Sequence, residues 1–181
     1  MINKKTLALV LLAATLSSGC NRFARNEIKD DNLVEVSYQE VSQLILNLQQ
    51  PLPRGSLVVI NSLVNVDDMG QTLPFGRIVS DQISSAFHQH GYRVMGMELP
   101  TEIFAKNEAG ILQIPDKTKE ALNNVGAKAV VIGSFAPGHN NVYVSLRLVD
   151  IASQNVVSSA DYSVAMGPDA KALTAKPQPK Q

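Results

Sequence analysis

Cys20, the one cysteine of this chain, ends the run Leu16-Ser17-Ser18-Gly19-Cys20, directly behind an apolar stretch from Leu7 to Leu16 and a basic start with Lys4 and Lys5. A positive n-region, a short apolar h-region and small residues before the cut are the parts of a secretory signal peptide, and they come here in that order. A lipoprotein signal adds a cysteine at the first mature position. The chemistry read at Cys20 is therefore lipidation, its thiol accepting diacylglycerol before residues 1–19 are removed. Two other fates compete. The apolar run is about half of what a helix needs to cross a bilayer core, which argues against a transmembrane anchor. A free cysteine is commonly a buried core thiol, but its place behind Ser-Ser-Gly favours the lipid. No second cysteine is present, so no internal disulfide is expected.

Little else in the chain has the types and spacing of a reactive site. His88 and His90 sit two apart on a helix, which points them in opposed directions and disfavours joint metal binding; they read as solvated helix-end histidines. His139 belongs to a turn with Asn140 and Asn141. Asp67-Asp68 lacks the alternating acids, Gly and closing Glu of a calcium loop and reads as a polar loop. Gly70, Thr72 and Gly76 lie between a strand and a helix, where phosphate loops occur, yet the spacing fits neither the Walker pattern nor G-x-G-x-x-G. No G-x-S-x-G supplies a serine nucleophile. No catalytic residue, metal or cofactor is expected. Arg147 and Asp150, on an alternating strand, are the candidate partner contacts, with a local salt bridge as the competing reading.

Removing residues 1–19 leaves 162 of 181 residues, enough for one domain with a real core. The whole chain has 16 basic and 16 acidic residues, so without Lys4 and Lys5 the mature protein stands at −2 and nucleic acid is an improbable partner. Membrane attachment must come from acyl chains on Cys20, whose combined buried methylenes give stable anchoring. Asn21 follows the lipidated residue. In enterobacterial lipoproteins an Asp there tends to retain the protein in the inner membrane, so Asn21 resembles the outer-membrane class.

These residues need elements to position them. Residues 20–33 read as a polar tether, and Ser37-Tyr38-Gln39-Glu40 has the form of a capping box that starts a helix running to Leu48. Ser56 to Leu63 reads as a strand covered on both faces, Asn65 to Gln71 as a loop, and Leu73 to His90 as a helix ended by Gly91. Tyr92 to Met97 is β-prone, Pro100 to Ala109 ambiguous with Ile103 and Phe104 as anchors, and Leu112 to Ile114 a short strand. A helix starting near Pro115 stops at Gly126. Ala129 to Phe135 is a continuous apolar strand. In Val142 to Asp150, Val142, Val144, Leu146 and Leu148 face one way and Tyr143, Ser145, Arg147 and Val149 the other. Val156 to Val164 is the last strand, the domain ends near residue 165, and 166–181 reads as a disordered tail. The fold class is α/β: a mixed sheet packed by helices, in the order α-β-α-β-α-β-β-β, closing with an antiparallel meander.

The segments Val58-Val59-Ile60-Asn61-Ser62, Leu73 to Ile83, His90-Gly91-Tyr92-Arg93-Val94, Gly126 to Phe135 and Val144 to Asp150, together with Cys20, resemble the FlgO family of outer-membrane lipoproteins from polar-flagellated bacteria. The similarity runs from Val34 to Val164. Related layouts occur in the amino-terminal domain of TolB, in CsgG and in LpoB-type activators. The resemblance implies a non-catalytic accessory or scaffold for flagellar assembly and stability, lipid-anchored on the periplasmic face of the outer membrane beside other flagellar outer-membrane proteins. The alternative is an LpoB-like activator of a peptidoglycan synthase, for which the stretch Asn21 to Asp31 is short, at most about 40 Å fully extended. A CsgG-like pore would need spare hairpins of alternating residues, and none stands outside the core elements.

Overall fold

A computed structural model describes residues 28–70, 72–100, 103 and 114–176. The elements are α1 (Leu33–Leu46), β1 (Leu57–Ile60), β2 (Val64–Asn65), α2 (Pro74–Gln89), β3 (Arg93–Gly96), α3 (Asp116–Asn124), β4 (Ala127–Pro137), β5 (Asn141–Asp150), β6 (Val156–Ala165) and α4 (Pro168–Thr174). The six strands form one mixed sheet in the order β3-β1-β4-β5-β6, with β2 also paired to β4. β1 runs parallel to β3 and β4, while β4, β5 and β6 make the antiparallel meander. The α/β class and the closing meander are as the sequence predicts.

Helices pack on both sheet faces, more fully on one than on the other. α1, α2 and α4 bury Val41, Leu44, Phe75, Val79, Ile83 and Phe87 against Val58, Ile60, Val131, Phe135, Leu146 and Leu148. Behind the sheet, Leu122 of α3 joins Ile103 and Ile114 over Leu57, Val59, Val130, Ile132 and Val149. This second layer explains why all four residues of β1 are buried and why Val149 is buried on the otherwise polar side of β5. Gly91 and Gly126 take positive φ, +85° and +74°, after α2 and α3, the left-handed conformation in which glycine has no Cβ penalty.

Four boundaries differ from the sequence reading. α1 starts at Leu33, capped by the Asn32 side chain, which accepts from Glu35 N–H at 3.3 Å. Ser37 is no cap: it is buried inside the helix and donates to Gln82 Oε1 of α2 at 2.8 Å. The long strand breaks after Ile60, because Asn61 turns its side chain to accept from Leu99 N–H and Leu63 N–H is taken by the Ser80 hydroxyl; the chain then resumes as β2. The tail is ordered through α4, since Met166 and Ala170 are buried in the main core. The tether ends sooner than residue 33, because Asp30 accepts from Asp169 and Ala170 N–H at 2.8 and 3.0 Å and Asp31 from Ala165 N–H at 2.7 Å. Phe104, Leu112 and most of the segment read as ambiguous lie outside the described residues.

Candidate interaction surface

α3 covers the back of the sheet only over β1, β4 and the end of β5. Among the described residues nothing covers the rest of that face. Alternation fixes what it shows: Ser134 and Ala136 from β4, Tyr143, Ser145 and Arg147 from β5, and Ser159, Asp161 and Ser163 from β6. A groove of about 400 Å³ runs across it, bounded at one end by Val66 of the loop after β2. Val66 and Tyr143 expose 43% and 56% of their surface, giving the groove one apolar end and one hydroxyl- and charge-bearing end.

Asp161 organises the polar end. It accepts from the Ser145 hydroxyl and from Arg147 Nη1, the latter at 3.1 Å. The Ser145 hydrogen bond, more than the Arg147 charge, holds the Asp161 carboxyl below its ordinary range, so it stays ionised at neutral pH. This is the local salt bridge that the sequence reading weighed for Arg147, but its partner comes from β6. The structure does not bring Arg147 and Asp150 together. Asp150 accepts from both the N–H and the hydroxyl of Ser153 at 2.7 Å and closes the β5–β6 turn. Sequence reasoning missed Asp161, Ser145 and Ser163. The signal was present in the last strand, where Ser159, Asp161 and Ser163 are polar at every second position, as on an uncovered face.

The histidines, the Asn65–Asp68 loop and Gly76 have structural surroundings. His90 Nε2 lies 3.1 Å from the Ser42 hydroxyl and ties the end of α2 to α1, while His88 and His139 are exposed. Asn65 accepts from Asp67 N–H and shapes the polar loop. Gly76 lets α2 touch the backbone before β2, since a Cβ there would lie 2.2 Å from the Leu63 carbonyl oxygen. Among the described residues no group of three or more His, Cys, Asp or Glu is placed to hold a metal ion, and no helix is long and apolar enough to cross a membrane. Cys20 and Asn21 lie outside the described residues.

A protein-family model, FlgO protein, matches residues 38–169. That span begins inside α1 and ends inside α4, most of the chain. The chain belongs to the FlgO family. Membership implies a flagellum-associated protein. Among solved structures, the LpoB C-terminal domain from Salmonella enterica is similar at a TM-score of 0.53 and 16% identity, covering 74% of this chain and 98% of that one. The LpoB C-terminal domain from Escherichia coli gives 0.50, 16%, 74% and 98%. At such identity the likeness shows the shared fold. No curated protein matches significantly in sequence.

Proposed function

We propose that this protein is a non-catalytic accessory of the flagellum, held by acyl chains on Cys20 to the periplasmic face of the outer membrane, where Asn21 permits export and the open sheet face meets other flagellar outer-membrane proteins. The match of the FlgO model to nearly every element of the domain is the observation that carries the reading. The polar groups on the open face support a role in contact. Arg147 pairs with one side of Asp161, and Asp150 is engaged in its turn, so none is poised as a nucleophile or base.

The alternative, an activator of a peptidoglycan synthase, shares the fold but needs reach. Because Asp30 and Asp31 are bound to the domain, only residues 21–29 can act as tether, at most about 30 Å fully extended. The test is to replace His88, His90 and His139 together by Gln, and separately Cys20 by Ser. Swimming should persist in the first variant and fail in the second, which should also lose incorporation of labelled fatty acid. Loss of swimming in the triple variant, with abundance and fold unchanged, would reopen metal binding or catalysis; label on the Ser variant would refute the anchor. Asn21→Asp should move the protein to the inner membrane in a host that sorts by the Asp rule, and unchanged fractionation would refute that role.

A further inference from the structure

β6 is the last strand of the sheet, and among the described residues its outward side is open over a defined stretch. Met166 N–H donates to Asn140 C=O. Counting in twos from that bond along the register, Val164, Tyr162, Ala160 and Ser158 are the residues that turn their backbone groups toward β5. Ser159, Asp161, Ser163 and Ala165 therefore turn theirs away. The chain itself closes both ends of this outward row. The Asp31 carboxylate accepts from Ala165 N–H at 2.7 Å, and Gln49 N–H donates to Val157 C=O at 2.9 Å. Between these plugs the N–H and C=O groups of Ser159, Asp161 and Ser163 have no partner among the described residues. The side chains of the same three residues are exposed on the open face, whereas Ala160 and Tyr162 point into the layer under α1.

An edge whose ends are covered and whose middle is bare is a template for one more short strand. We propose that the Ser159–Ser163 edge of β6 docks an extended segment of another envelope protein as an added strand, with a Lys or Arg of that segment opposite Asp161. The proposal rests on the scaffold reading above and names the partner chemistry for it. Charge selects the occupant. Asp161 has 65% of its side chain exposed, and Arg147 occupies only its β5 side. A second copy pairing antiparallel through all three free residues would set Asp161 against its own equivalent, and like charges directly opposite are destabilising. Any slipped register drives that copy into the plug at Val157 or at Ala165. A basic segment meets neither obstacle.

The test uses the lipidated protein purified in detergent and two fluorescein-labelled peptides, Val-Thr-Val-Lys-Val-Thr-Val and the same sequence with Glu in place of Lys. Fluorescence anisotropy should show the Lys peptide binding about fivefold or more tighter, the discrimination that an opposite-charge pair gives over a like-charge pair across a strand. Asp161→Lys should invert the preference. Ser163→Pro removes an outward N–H without touching the β5 ladder, and should abolish binding of both peptides with the circular dichroism spectrum unchanged. Equal binding of the two peptides, or binding that survives Ser163→Pro, would overturn the inference. So would a concentration-dependent dimer of the peptide-free protein that Ser163→Pro dissolves, since the occupant is then a second copy. Failure of the scaffold reading is separate: swimming would survive deletion of the gene whatever the peptides do.

Discussion

Gly76→Ala gives two physical arguments opposite signs. Gly76 lies in the first turn of α2, where replacing glycine by alanine raises helix propensity by at most about 1 kcal/mol. Propensity alone therefore predicts a more stable protein. The structure predicts the reverse, because the added Cβ would sit 2.2 Å from the Leu63 carbonyl oxygen and 3.0 Å from the Phe135 ring, where ordinary contact begins near 3.4 Å. The carbonyl belongs to the backbone between β1 and β2 and cannot swing aside, so the start of α2 must retreat by about 1 Å. That retreat loosens Phe75, whose ring packs on Phe135 at a centroid distance of 5.1 Å. Overpacking of this kind costs about 1–3 kcal/mol. A backbone clash this close lies in the upper part of that range, so against the propensity gain a net loss of about 1–2 kcal/mol remains, or a Tm lower by about 3–6 °C for a domain of this size. Urea unfolding followed by circular dichroism measures it directly, with Ser85→Ala on the exposed side of the same helix as the control. A Gly76→Ala protein as stable as the parent would show that α2 does not seat on Leu63 as described.

Three further outcomes follow from single contacts. The Tyr162 hydroxyl is buried without a hydrogen-bond partner, so Tyr162→Phe should raise stability by about 1 kcal/mol in the same unfolding assay. Burial raises the Tyr162 pKa; the neutral phenol is favoured in the fold, so stability present below pH about 10 is lost above it, and Tyr162→Phe should flatten that alkaline loss. Asp30→Ala removes the cap from α4 and should cost about 1 kcal/mol locally, seen as faster hydrogen exchange at Asp169 and Ala170 while the β4–β5 ladder stays protected.

What could be read from the sequence depended on how far away the deciding partner lay. The β5 alternation and the α2 stripe are local, and the structure keeps both nearly to the residue. The Ser37 capping box failed because the apolar stripe reaches back to Leu33 and Val36, and Asn32, which caps the helix, sits before it. Strand β1 broke where side chains, Asn61 and Ser80, replace the backbone ladder, an event that apolar runs do not encode. α4 looked patternless because its order comes from Asp30 and Met166, one of them far off in sequence. The polar end of the groove was half visible: Arg147 stood out, but its partner Asp161 is set by the β5–β6 register.

A count of flagella by electron microscopy in cells lacking the gene, complemented by the parent chain or by Cys20→Ser, puts flagellar association and lipid anchoring to the test together. Few or unstable flagella are expected in the deletion strain, with recovery by the parent and none by the unlipidated variant. Normal flagellation in the deletion strain would contradict it.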